Sequence, residues 1–583
     1  MAVDYYDLGK YARPVTAASA AAQRWFDRGL IWTYAFNHEE AVRCFSRALD
    51  EDPGCAMAYW GLAYALGPNY NKPWEFFDET ELADTVARTF DATRRAGELV
   101  DSVTPVERAI IESLAARYQR NRPDADSSAW NRDYAEAMRA VYERFPDDID
   151  VAALFADALM NMTPWGLWNQ HTGEPGDGAH TLETKAVLER ALRGEAGRAH
   201  PGVLHMYIHL MEMSATPEDA LAAADRLRGL VPDAGHLQHM PSHIDVLCGD
   251  YRAVVSSNSA AIVADRKYVR QAGEINFYTL YRAHNYHFKV YGAMFLGQSE
   301  VALKTVSQLE NSVPEELLRV TEPPMADWLE GFLSMRVHVL IRFGEWAEII
   351  DLPLPKDQDL YCVSTTMLHY AKGVAFAATD NLTQAHEQQR LFLAALDRVP
   401  ETRTLFNNTC RDILAVASAM LEGELEYRKG NYDSAFAALR RSIELDDHLP
   451  YDEPWGWMQP TRHAYGALLL EQGQVAEAEA VYRADLGIDN SLPRAAQHPA
   501  NVWSLHGYHE CLVRLGKTGE ARIIAQQLKL AAAVADVPIE ASCCCRLSAA
   551  ADESHGLDRS GCGEAGRDPS SGSDQFGVIA QEW

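Results

Sequence analysis

Cysteine is scarce: 10 residues in 583, and those at 44, 55, 248, 362, 410 and 511 form no C-x-x-C pair. That excludes a disulfide scaffold and argues for reduced thiols in a cytoplasmic protein. Positive charge is also short. Against 83 Asp and Glu stand 53 Lys and Arg, a net charge of −30, a field that repels phosphate backbones and excludes nucleic acid as a partner. No uninterrupted apolar run approaches the ~18 residues a membrane span needs. The opening MAVDYYDLGKYARPVT lacks a basic segment followed by an apolar stretch, so the expectation is an unexported chain with no membrane partner. Strand-like alternation is nearly missing, as are G-x-S-x-G, H-E-x-x-H and the dinucleotide fingerprint. LGKTGE at 515–520 has Cys511 where a phosphate loop needs glycine.

What is present is an ordinary globular composition, 47% hydrophobic and 23% charged, which excludes wholesale disorder. At about 150 residues per domain the length allows about four domains or one long repeat array. Alanine-rich segments with helical spacing choose the array. WFDRGLIWTYAFNHEEAVRCFSRALDEDP places Trp25, Gly29, Ala41, Phe45, Ala48 and Pro53 at tetratricopeptide spacings. Small residues there let two antiparallel helices approach, aromatics fill the gap and the proline stops the second helix. Downstream, Ala435, Ala478 and Ala521 recur 43 residues apart, while Ala220, Ala253 and Ala302 mark irregular units between them. The expected fold is all-α: tetratricopeptide-like helical hairpins over 18–540 stacked into a right-handed superhelix, after an arm at 1–17. From 541 to 583 serine, glycine and charge replace large apolar residues, which predicts a disordered tail. The consecutive thiols Cys543, Cys544 and Cys545 read as incidental there.

Histidine is uneven. Eight of 20 fall between 200 and 287, within a histidine-rich centre at 200–290. His205 and His209 lie one helical turn apart, with Glu212 three residues on; His236, His239 and His243 follow at offsets of three and four; His284 and His287 close the set. Counted back from the anchors Ala220, Ala253 and Ala302, His205, His239 and His287 sit 15, 14 and 15 residues upstream. His209 and His243 sit 11 and 10 upstream. First helices line the concave face of such stacks, so equal heights can bring the rings together. An imidazole-rich, thiolate-poor set suits iron or copper, with zinc next, and disfavours magnesium and calcium. The expected metal ligands are His205, His209, His239 and His243, with His236, His284 and His287 as further ligands or supports. His38 reads as a cap or groove residue, and the loop holding Trp165 and Trp168 as a lid or a surface anchor.

The segments AQRWFDRGL, YAFNHEEAVRCF, CAMAYWGLAYALGPNYN, LHMYIHLMEMS, AGHLQHMPSHI, AHNYHF and YDEPWGWMQPTRHAYGALLLEQGQVAEAEAVYRADL resemble a group of large tetratricopeptide-repeat proteins of bacteria and some fungi. The resemblance runs to about residue 540. It implies the repeat fold, and that the three histidine segments belong together as a set; it implies no particular reaction.

Two functional expectations follow. One is a metalloenzyme in which a histidine-bound ion oxidises a small organic substrate in the manner of an oxygenase, with hydrolysis as the other reaction. Glu212 and Tyr281 would handle protons and Arg282 would hold an anionic group of the substrate. The other is a non-catalytic adaptor whose concave groove takes a peptide or partner protein.

Overall fold

Phe45 sits between two glycines. A Cβ on Gly29 would meet its ring at 2.7 Å and one on Gly61 at 2.4 Å, so three successive helices, Ala20–Tyr34, His38–Glu51 and Ala56–Leu66, interlock only because both positions lack a side chain. The same device recurs far along the chain. Tyr482 of the helix Val475–Asp485 lies where Cβ atoms on Gly466 and Gly507 would stand 2.5 and 2.2 Å from its ring. Ala41, Ala220, Ala302, Ala435 and Ala478 are fully buried where paired helices close.

The computed structural model describes residues 5–123 and 128–547. Through them runs an all-α series of tetratricopeptide-like hairpins, beginning with Ala20–Tyr34 against His38–Glu51 and ending with Val502–Arg514 against Thr518–Ala532. Among the described residues the only strands are Thr404–Leu405 and Asn408–Thr409, an antiparallel pair whose turn carries Phe406 and Asn407. No helix among them is long and apolar enough to cross a membrane. Helices at the centre are buried on every side: every residue of Pro201–Met211, Gly235–His239 and Pro241–Leu247 is covered. A surface helix keeps a polar face. These do not, and they carry the histidines.

The N-terminal arm is held on Asp150. Tyr11 donates to its Oδ1 at 2.6 Å and Arg13 to its Oδ2 at 2.6 Å, while Tyr34 donates at 2.6 Å and His200 Nε2 stands at 3.1 Å. Burial alone would raise the Asp150 carboxyl, but His200, Arg13 and Tyr11 hold it well below the usual carboxylate range. A carboxyl lowered in the fold stabilises above its unfolded value of about 4, and that contribution fades as pH falls below it. Asp150→Asn is therefore expected to cost about 2–3 kcal/mol near neutrality, and the gap from wild type in thermal midpoint to shrink toward about pH 3. A gap independent of pH would contradict this.

At the other end the chain stays packed beyond 540. Ser542 and Cys545 are buried, Ser542 Oγ donates to the carbonyl of His463 at 2.8 Å, and Arg428 donates to the carbonyl of Cys545. The boundary expected at 541 therefore moves to Leu547, because these polar groups find partners that composition does not reveal. Cys543 and Cys545 are paired as a disulfide. Cys44, Cys55, Cys248, Cys362, Cys410 and Cys511 are free. The remainder of the expected tail, 548–583, lies outside the described residues.

Candidate metal centre

His205 and His209 project from Pro201–Met211, His236 and His239 from Gly235–His239, His243 from Pro241–Leu247 and His284 from Thr279–Phe295. Pro241 opens the third of these as its first residue, where a missing N–H costs nothing. The break it imposes lets His236, His239 and His243 follow one another around the bend. The six rings form a continuous chain of contacts. Centroids of His205 and His209 lie 4.7 Å apart, His205 and His236 4.8 Å, His236 and His239 5.8 Å, His239 and His243 4.7 Å, and His239 and His284 4.5 Å.

Their ring nitrogens resolve into two triads, His205–His209–His236 and His239–His243–His284, each with one nitrogen per residue inside a 4.8 Å sphere of mutual distance. A single ion shared by His205, His209, His239 and His243, as expected from register, is replaced by this division. Equal height predicted the contact of His209 with His243, at 5.9 Å between centroids, but neighbouring helices are offset elsewhere, so His205 meets His236 and His239 meets His284. His287 leaves the cluster altogether. Three residues beyond His284, its Nε2 faces Met458 Sδ, 2.9 Å away, and its ring packs on Phe332.

The outer nitrogen of each ring fixes its tautomer. His205 Nδ1 stands 2.6 Å from the carbonyl of Tyr34 and His209 Nδ1 3.0 Å from Glu212 Oε1; both acceptors demand a proton on Nδ1 and leave Nε2 a lone pair. Asn258 donates through Nδ2 to Val254 and Ser242, so its Oδ1 accepts from His239 Nδ1 at 2.7 Å. Imidazoles that ligate metals are held in this way by carboxylates and carbonyls. Burial, reinforced by neighbouring rings, lowers His205, His236, His239 and His284 well below the ordinary imidazole value. They are neutral, as ligands must be.

Nothing answers the inward lone pairs of the first triad. His205 Nε2, His209 Nε2 and both nitrogens of His236 are buried without a hydrogen-bond partner. Such a group costs about 1–3 kcal/mol each if left so, and three pointing together make a site that a Lewis acid would satisfy.

Glu212 lies between the triads with no exposed surface. Its Oε1 takes His209 and its Oε2 faces His243 Nδ1 at 2.8 Å. Burial pushes the Glu212 carboxyl up, but His209 and His243 outweigh it and hold it low. Burial lowers His243, yet Glu453 and Glu212 drive it up to about 10. Glu453 contacts His243 Nδ1 and accepts from Tyr451, whose hydroxyl stands 2.9 Å from the carbonyl of Glu212. Burial raises Glu453 to about 7 against the pull of His243.

A cavity of about 210 Å³ adjoins both triads. His209, His236, His243 and His284 open onto it, with Trp165, Phe277, Trp328 and Phe406 as aromatic walls and Tyr281 at its edge. Trp165 thus acts as the wall that its loop allowed, while Trp168 is tied down by donating to the carbonyl of Leu210 at 2.6 Å. Tyr281 lines the cavity with an unpartnered hydroxyl. Arg282, expected to hold an anionic group of the substrate, does not line the cavity, and it donates to Thr279 on its own helix at 3.2 Å. His38 faces a neighbouring hollow of about 660 Å³ that shares Phe277 and Tyr281, the groove position expected of it.

Sequence reasoning missed Glu453, Tyr451, Phe36, Trp328 and Phe406. A signal existed for some: an acidic pair beside tryptophans in YDEPWGW. Phe36, Trp165 and Phe406 share a property that the sequence hides. Each has a left-handed backbone, with φ of 55°, 59° and 51°, and each rests on a cluster ring: Phe36 on His205 at 4.5 Å, Trp165 on His209 at 6.1 Å and Phe406 on His284 at 4.7 Å. Bulky residues hold such angles at a cost of about 1–3 kcal/mol and chiefly at functional sites.

No family model matches the chain and no curated protein does. Solved structures that it is similar to include yeast Tom70, at 12% identity over 87% of this chain and 99% of that one, TM-score 0.30. A second is the APC/C hetero-tetramer Cut9–Hcn1, at 14% over 84% and 76%, TM-score 0.29. A third is the IFIT1 monomeric mutant with Gppp-AAAA, at 10% over 82% and 90%, TM-score 0.30. Of the resemblance to tetratricopeptide-repeat proteins drawn from sequence, the helical-repeat fold is what holds, and it is read from the chain's own hairpins.

Proposed function

We propose that this chain is a metal-dependent enzyme in which His205, His209 and His236 hold a transition-metal ion at the wall of the aromatic cavity, where a small organic molecule is oxidised. One observation carries the reading: the inward nitrogens of these three rings are buried and unanswered. All-imidazole donors favour iron or copper, with zinc next. Bound there, iron or copper would supply dioxygen chemistry, and zinc hydrolytic chemistry. The chain's own part is separable from that. Tyr34 and Glu212 fix the tautomers of His205 and His209; Trp165, Phe277, Trp328 and Phe406 give the cavity apolar aromatic walls. Glu453, with a carboxyl raised to about 7, is poised to accept or return a proton near neutrality.

An adaptor role remains the second reading, and one feature favours it: an open hollow of about 960 Å³, lined by Arg319, Arg336, Glu310 and Asp357 among others, of a size to take a peptide. Elemental analysis separates the two. Purified protein is expected to keep a transition metal through dialysis, and a His205→Ala, His209→Ala double variant to lose an equivalent while its circular dichroism is unchanged. A metal-free, folded wild type that binds peptides would replace the enzyme reading with the adaptor.

A further inference from the structure

We infer that the centre is binuclear: the second triad, His239, His243 and His284, is a distinct site for a divalent transition-metal ion, joined to the first through Glu212. It goes beyond the reading above, which needs one ion only. The two sets share no ligand, yet both open on the same cavity.

The Nε2 atoms of His239 and His243 stand 2.8 Å apart. Two nitrogens at right angles on one ion with bonds of about 2.05 Å would be separated by about 2.9 Å, so the pair already has the spacing of adjacent ligands on a tetragonal or octahedral ion. His284 completes a face of three. Its Nδ1 is buried and without a partner, and its ring lies 4.5 Å from His239 and 5.6 Å from His243.

Each ring is braced from outside. Asn258 fixes His239, and its own amide is pinned by Ser242 and Val254. Glu212 and Glu453 face the outer nitrogen of His243, and Phe406 packs on His284. Carboxylate–histidine pairs of this kind orient a ligand and raise its basicity. Glu212 reaches His209 with one oxygen and His243 with the other, so one residue sets a ligand of both ions.

Metal-free protein titrated with Cu²⁺ tests this. Wild type is expected to retain two equivalents after desalting. His205→Ala with His236→Ala, and separately His239→Ala with His284→Ala, are each expected to retain one. Because a variant can disturb both triads, wild type loaded with two equivalents is also examined by electron paramagnetic resonance. Neighbouring Cu²⁺ ions are expected to show a spin-coupled or dipolar-broadened signal, which the one-equivalent protein lacks. One equivalent in wild type, lost only with His205 and His236, overturns the second site and leaves the proposed enzyme standing. No equivalent at all overturns both. Two equivalents with magnetically isolated signals place an ion outside the cluster and overturn the binuclear assignment.

Discussion

Glu212→Ala is expected to lower stability by about 3–5 kcal/mol and to weaken metal binding by about 10–100-fold. The carboxylate has no contact with solvent and faces two imidazole N–H groups, on His209 and on His243. Its removal leaves the His209 donor buried without an acceptor, at about 1–3 kcal/mol. It also leaves His243, held up to about 10 by its two acidic neighbours, with Glu453 alone. Glu212→Gln keeps the volume and one acceptor oxygen but turns an amide donor toward one of the two N–H groups. A smaller loss of stability with a similar loss of metal is expected from it. Denaturant titration and chelator competition measure the two quantities separately. Unchanged metal affinity in both variants would show that Glu212 does not orient the ligands, and the bridge between triads would fall with it.

Much of this site was legible in the sequence, for a physical reason. Spacings of three and four on a helix put side chains on one face, and the density of histidine over 200–290 marked which faces mattered. Six of the seven predicted ligands meet. His287 does not: its Nε2 faces Met458 Sδ and its ring Phe332, contacts that its spacing from His284 does not reveal. Glu453 and Tyr451 were not legible as partners of Glu212. They lie some 240 residues away in sequence, and only the curvature of the repeat stack brings them to the cluster. Repeat spacing reads local pairing and says little of the angle that accumulates between hairpins. The hairpins themselves were plain, since Gly29 and Phe45 announce their contact by size. The strained backbones of Phe36, Trp165 and Phe406 had no such signal, because aromatic residues ordinarily avoid those angles.

The lining of the cavity leads to the other large effect, a strong preference for uncharged aromatic molecules. Trp165, Phe277, Leu280, Trp328 and Phe406 supply apolar walls, and Asn71, Tyr281, Thr404 and Asn407 supply neutral polar groups. Among the described residues no lysine or arginine lines it. Asp452 and Glu453 do, and the cation His243 is already flanked by Glu212 and Glu453. With Arg282 turned away, a substrate carboxylate would lose its hydration here with no lysine or arginine among the described residues to replace it, a cost of several kcal/mol. A neutral hydroxyl instead finds the buried, unpartnered hydroxyl of Tyr281. Metal-free protein is therefore expected to bind 2-naphthol at least about 100-fold more tightly than 2-naphthoate, a difference of about 2.7 kcal/mol. Equilibrium dialysis reads this directly, and the absence of metal prevents the carboxylate from binding as a ligand. Leu280→Trp, which fills the space without touching either triad, is expected to abolish 2-naphthol binding while metal content stays at the wild-type value. If the two probes bind equally, an unseen positive group faces the cavity. If Leu280→Trp binds 2-naphthol as wild type does, the probe has gone elsewhere, and the cavity between the triads is not where the organic molecule sits.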